Sequence, residues 1–303
     1  MNPFKRLPTD TILNIFKRHL RLSSLVYGNS WIALGAALLC WQSRFLLEGT
    51  EQVPFPWYEL LLFGGTVFVY SAHRLIALKP FSPAHKGSRT GLLTHRKPQL
   101  ERNALLGGGF AVFIFFFLPR GVQAALILPA LLALFYTIPI PLLGRRLRDL
   151  PWAKPVSLAF AWAWLTAWVP LGGTRAESVW PVLLIFLERG LLLFGLCIPF
   201  DIRDARLDKE AGVYTLVQSL GHQRAIYLAL ASFAGSLLFA LLLYAIGVYP
   251  LFAILSLTVS MALAAYLVGQ VSIDTPDWYY SFWLDGMLIF QPVLLLLTSI
   301  FPG

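Results

Sequence analysis

Charge is scarce in this sequence. Asp, Glu, Lys and Arg make up 13% of its 303 residues, about half the roughly 25% typical of soluble proteins. The chain therefore lacks the polar skin that a water-soluble fold of this length requires. Cysteine is nearly absent: Cys40 and Cys197 both fall in apolar runs, which argues against a disulfide framework or a thiol metal site. No small-residue cleavage site follows the first apolar run, so that run reads as a retained helix and not a signal peptide. No inverted repeat is visible, which speaks against an ordinary secondary transporter. Apolar residues dominate instead, at 57%, with a mean hydropathy of +0.68. The sequence predicts an all-α integral membrane protein. Membrane helices need no separate cores, so residues 1–303 read as a single domain.

A membrane span needs about 20 mostly apolar residues. Nine stretches qualify: 24–41, 57–78, 104–118, 121–141, 152–171, 179–200, 224–246, 248–270 and 281–301. Only Pro119-Arg120-Gly121 separates the third from the fourth, which predicts a tight helical hairpin. The basic residues set an orientation. Lys5, Arg6, Lys17, Arg18 and Arg21 precede the first span. Lys79, Lys86, Arg89, Arg96, Lys97 and Arg102 follow the second. Arg145, Arg146, Arg148 and Lys154 lie between the fourth and fifth, and Arg203, Arg206, Lys209 and Arg224 between the sixth and seventh. The opposite loops hold Arg44, Arg120 and Arg175. An excess of Lys and Arg marks the cytoplasmic side, so the N-terminus is expected in the cytoplasm and the C-terminus across the membrane, a bacterial inner membrane. The net charge of +9 is then a topology signal plus contact with anionic lipid, and nucleic acid is not an expected partner.

Topology does not explain the acids. Asp201, Asp204 and Asp208 are spaced i, i+3, i+7, which at about 100° per residue puts them within roughly 60° on one helix face. Three carboxylates there repel one another without a cation. Mg²⁺ suits them, since it takes oxygen ligands and commonly bridges to substrate phosphates. The alternative is a solvated loop whose acids pair with neighbouring Arg and Lys. Arg203 and Arg206 point elsewhere on the helix and are candidates for phosphate or anionic lipid. Gly212 offers a helix stop.

Asp-Ile-Arg-Asp-x-x-x-Asp-x-x-x-Gly-x-x-Thr-Leu, starting at Asp201 and followed by Leu220-Gly221, resembles the second aspartate-rich motif of the UbiA superfamily of intramembrane prenyltransferases. Phe135-Tyr136, with Pro139 and Arg145-Arg146, is similar to that family's tyrosine segment at the end of its fourth helix. The resemblance implies a UbiA-like bundle of about nine transmembrane helices. It also implies an Mg²⁺-dependent transferase of prenyl groups, with a prenyl diphosphate and a lipophilic acceptor as partners in a cavity open to membrane lipid. Asp204 and Asp208 would be the metal–diphosphate ligands, with Asp201 adjacent.

The first motif departs from the family. Its Asn-Asp-x-x-Asp is replaced at 69–80 by a stretch with no carboxylate, in which Tyr70 and His73 stand at the two aspartate positions. Three readings are open. His73, Arg74 and Lys79 neutralise the diphosphate directly; or the motif has decayed and ionisation is lost, leaving an isoprenoid or lipid binder, or a transporter; or these residues anchor the helix at the interface. The family's lysine after Tyr136 is also missing, with Ile140 in its place. Arg89, Arg96 and Lys97 in the basic loop, and Arg203, are candidate phosphate contacts alongside Arg74 and Lys79. Glu188-Arg189 and Asp285 sit within spans, where charges are costly and either pair structurally or line a polar site. Trp152, Trp162, Trp164 and Trp168 either line a cavity that faces a carbocation or pack the interior.

Overall fold

The computed structural model describes residues 20–48, 56–78, 96–150, 152–172, 178–210 and 212–300. Among them every regular element is helical. The chain begins with α1 (Leu20–Tyr27), α2 (Ser30–Glu48), α3 (Trp57–Leu78) and α4 (Lys97–Phe115), followed by the short pair α5 (Arg120–Ala125) and α6 (Ile127–Thr137). A 3₁₀ turn at Leu147–Asp149 leads into α7 (Ala153–Ala163), which continues through a π turn at Trp164–Trp168 into Val169–Leu171. The long α8 (Val179–Glu210) and short α9 (Leu216–Leu220) follow. Then come α10 (His222–Ala245), α11 (Leu251–Gly269) and α12 (Asp285–Ser299), the last preceded by a π turn at Tyr279–Leu284.

Seven helical stretches among the described residues are long and apolar enough to cross a membrane. The remaining two expected spans are also helical: α4, at 19 residues, and the α7 run. The chain is an integral membrane protein. Leu105, Leu142 and Phe116 are 77%, 97% and 74% exposed, a surface that water would not tolerate in such number and that lipid covers. The helices follow a simple packing order. Helix α2 lies between α3 and α12, α3 runs along α4, α8 packs on α7 and α10, and α11 joins α10 to α12.

Several boundaries differ from the sequence expectation, each for a tertiary reason. The first span breaks into α1 and α2 at Gly28-Asn29, where Asn29 has φ 68. Carbonyls around the break are taken by other helices: Asn103 Nδ2 donates to Gly28 O and Arg74 Nη1 to Tyr27 O, and Gln99 Nε2 adds a second bond to Ser24 O, which also accepts from Gly28 N. These bonds satisfy groups that a helix end leaves open. Arg44, expected in a loop, lies inside α2 because Glu59 of α3 takes its charge at 2.8 Å. Helix α8 runs ten residues beyond its expected end, to Glu210, with its acids held by Lys154 of α7. Gly212 then stops the helix at φ +70, with Val213 N donating to Asp208 O.

Helices α3 and α4 touch backbone to backbone at Gly64 and Gly107. A Cβ at Gly107 would meet Gly64 O at 2.8 Å, and one at Gly64 would meet Gly107 O at 3.0 Å. Gly107→Ala is therefore expected to destabilise the fold by about 1–3 kcal/mol, the usual cost of overpacking. Gly109→Ala, whose Cβ meets nothing within 4 Å, is the control that should not lower the thermal unfolding temperature in detergent, since alanine is the better helix former.

Candidate functional site

Asp201, Asp204 and Asp208 share one face of α8, as their spacing predicts, and a cation stands at the point where they converge. It is Lys154, at the start of α7. Its Nζ lies 3.0 Å from Asp201 Oδ1, 3.3 Å from Asp204 Oδ2 and 3.1 Å from Asp208 Oδ2, and its side chain is 7% exposed. Arg203 closes on the same cluster: Nε donates to Asp204 Oδ1 at 2.9 Å and lies 4.0 Å from Asp277 Oδ1. Its guanidinium stacks over Phe200 and Tyr280, 4.9 and 5.2 Å from the ring centroids. Pro199, which cannot donate to the helix ladder, sits just before these acids inside α8.

Beside the cluster is a cavity of about 450 Å³ lined by His73, Ile76, Ala77, Tyr136, Thr137, Arg146 and Arg148. His73 and Tyr136 stack at 5.7 Å, and the Arg148 guanidinium lies 5.6 Å above the Tyr136 ring. His73 Nε2 is 3.3 Å from Ala133 O; a carbonyl only accepts, so Nε2 carries the proton in this bond. Arg146 grips Asp149 through Nε and Nη2, and that hydrogen bonding raises the guanidinium's already high pKa despite partial burial. Tyr136 joins the two halves of the site, since it lies within electrostatic range of Lys154, Asp204 and Asp201.

Other candidates lie elsewhere. Arg74, expected at the diphosphate, is turned to α1, where it donates to Tyr27 O at 2.8 Å. Arg96 lies over the Tyr27 ring and donates to Gln99. Lys97 pairs with Glu101 across one turn of α4, with both side chains more than half exposed. None of the three lines the cavity. Lys79 and Arg89 lie outside the described residues. Glu188 and Arg189 do find partners on other helices, but backbone and hydroxyl partners and not an interhelical ion pair: Arg189 Nη1 donates to Leu39 O and Ser236 Oγ to Glu188 O. Asp285 lies within electrostatic range of Arg203. The tryptophans divide, Trp162 meeting Tyr70 edge-on and Trp164 donating to Ala125 O.

Lys154 and Arg148 were legible in the sequence only as topology charges. Lys154 is 47 to 54 positions from the acids it joins, so no local pattern reveals the pairing. Its geometry also tests the fit to Mg²⁺. That ion requires near-octahedral oxygens at about 2.0–2.1 Å, whereas the three carboxylates stand at the hydrogen-bonding distance of an ammonium. Asp201 Oδ2 is buried without a hydrogen-bond partner, but it is a single oxygen. Among the described residues no group of three His, Cys, Asp or Glu side chains could hold a metal. As arranged, these residues fit an ammonium and not Mg²⁺.

No family model and no curated protein matches the chain. Solved structures do. A UbiA homologue from Archaeoglobus fulgidus bound to GPP and Mg²⁺ superposes with a TM-score of 0.64 at 12% identity, over 90% of this chain and 97% of that one. The chain has the UbiA fold. A UbiA homologue from Aeropyrum pernix K1, without ligand, matches at 0.57 and 18% identity over 91% and 98%. A digeranylgeranylglyceryl phosphate synthase matches at 0.54 and 14% over 96% and 98%. Each match covers nine-tenths or more of both chains, so the UbiA fold extends over nearly the whole chain.

Proposed function

We propose that this UbiA-fold chain is a membrane prenyltransferase-like enzyme that binds an isoprenoid diphosphate in the cavity beside Tyr136. The observation that carries this reading is the pairing of a basic mouth (Arg146 and Arg148, beside His73) with a neutralised acidic cluster, joined at one tyrosine. The fold's solved relatives, bound to GPP or DMAPP with Mg²⁺, support an allylic diphosphate as the ligand class. At about 450 Å³ the cavity falls in the range of small-molecule sites.

The chemistry follows from charge. The C1–O bond of the allylic diphosphate breaks, the oxygen keeps the electron pair, and a lipophilic acceptor attacks the resulting cation or the chain cyclises. Guanidinium groups from Arg146 and Arg148 stabilise the departing oxygen, while His73, whose Nε2 hydrogen is given to Ala133 O, holds Tyr136 in place by stacking. The Tyr70–Trp162 pair, near Tyr136, suits the cation. Arg145, Arg146, Arg148 and Lys154 lie on one side of the chain's spans, and an excess of basic residues is the signal of a cytoplasmic face; we read the membrane as a bacterial inner membrane.

The test is binding and pyrophosphate release by detergent-purified protein with a panel of prenyl diphosphates. Arg148→Ala should weaken binding by ~10–100-fold, since a hydrogen bond to a charged group contributes about 1.5–3 kcal/mol. Asp204→Asn serves as the second variant. Release that depends on these residues supports the enzyme. Binding without release, across a panel of acceptors, favours a non-catalytic isoprenoid-diphosphate binder. If wild type neither binds nor releases, both readings fail.

A further inference from the structure

Lys154 breaks the local rules of its own helix. It lies in the first turn of α7, the positive end of the helix dipole, where a cation is disfavoured. Trp152, just before that turn, has φ 62, a left-handed conformation uncommon for a bulky residue. Asp208 breaks the opposite rule, because it lies in the last turn of α8, where anions are disfavoured. Each violation compensates the other across the contact between α7 and α8. Local rules broken reciprocally at one spot are the mark of a functional arrangement.

Apart from Asp201 Oδ2, the cluster is also complete as it stands. A lysine this buried persists only when paired, and each of the three ammonium hydrogens has a carboxylate within 3.3 Å. Arg203 places a second positive charge on Asp204, and Arg146 lies within electrostatic range of Asp208. A divalent ion entering here would meet an ammonium at its centre. The lysine is tethered to the chain, so its effective concentration does not depend on free metal.

We propose that Lys154 is the resident cation of the acidic face: its ammonium takes the place of a divalent ion, and isoprenoid diphosphates bind beside it without one. The second half rests on the function proposed above; the first half does not. Lys154 is a positioning residue. It keeps three carboxylates from repelling an incoming diphosphate and leaves Arg146 and Arg148 to hold it.

The experiment has two arms. In the first, Mn²⁺ binding to purified protein is followed by electron paramagnetic resonance. Wild type and Lys154→Arg should bind no Mn²⁺ at these acids. Lys154→Ala should acquire a site in the ~0.1–1 mM range of weakly organised carboxylate sites, and Lys154→Ala with Asp204→Asn should lose it. Lys154→Gln replaces Lys154→Ala if the latter does not fold. In the second arm, geranyl diphosphate affinity is compared in EDTA and in Mg²⁺. Wild type should change by less than ~2-fold, and Lys154→Ala should lose at least ~10-fold in EDTA, a difference well resolved in binding free energy. A merely structural lysine would produce neither the new Mn²⁺ site nor the new metal dependence. Wild type that binds Mn²⁺ at the aspartates, or that loses diphosphate binding in EDTA and regains it with Mg²⁺, overturns the proposal. If no diphosphate binds under any condition, the functional reading fails, and the Mn²⁺ arm still decides the role of Lys154.

Discussion

Replacing Lys154 by alanine is expected to destabilise the folded protein by about 3–5 kcal/mol, the usual effect of removing one partner from a buried ion pair. The reason is the residue count at the site. Asp201 and Asp208 are 1% and 7% exposed, and without the ammonium they are left with Asp204 as three converging carboxylates and Arg203 on one of them. Adding Asp208→Asn to Lys154→Ala should restore a substantial part of the loss, because it removes one of the repelling charges. Millimolar Mg²⁺ or Mn²⁺ should do the same by filling the vacated centre. Denaturation in mixed detergent micelles, read by tryptophan fluorescence, gives both comparisons. A Lys154→Ala protein as stable as wild type would mean that the acids are not charged in the folded state.

Arg189→Leu is expected to have a similarly large effect, again about 3–5 kcal/mol, at a site that takes no part in the proposed chemistry. Arg189 and Glu188 are both 0% exposed in the interior of α8. Arg189 Nη1 donates to Leu39 O at 2.9 Å, and its Nε lies 3.8 Å from Glu188 Oε2. Removing the guanidinium leaves a buried carboxylate whose remaining hydrogen-bond partner is the Ser236 hydroxyl. Glu188→Gln combined with Arg189→Leu should recover most of the loss, since exchanging both members of a buried pair for neutral groups is often close to neutral. The non-additivity is read as a double-mutant cycle. If the double variant is as unstable as the sum of the singles, the two charges do not depend on one another.

The spans were legible because a hydrocarbon slab imposes a local rule. Each crossing needs an unbroken apolar stretch, and all nine expected stretches are helical here. Their ends were less legible wherever a charge is satisfied at a distance. Arg44 reads as a loop residue until Glu59 is seen beside it, and the polar start of α4 at Lys97 reads as loop until Gln99 and Asn103 are seen donating to α1. His73 and Tyr136 were flagged from a motif and meet at one cavity wall. Arg74, flagged from the same motif, is one residue further round the helix and so faces α1.

By itself the sequence determined the membrane class, the number of apolar stretches and the common face of Asp201, Asp204 and Asp208, because hydropathy and helical periodicity act over a few turns of one chain segment. Only the tertiary structure decided what those aspartates face. Which cation meets them depends on how α7 crosses α8. That crossing is set by packing between segments about fifty residues apart, and it places Lys154 where spacing alone had left open Mg²⁺ or pairing with nearby Arg and Lys.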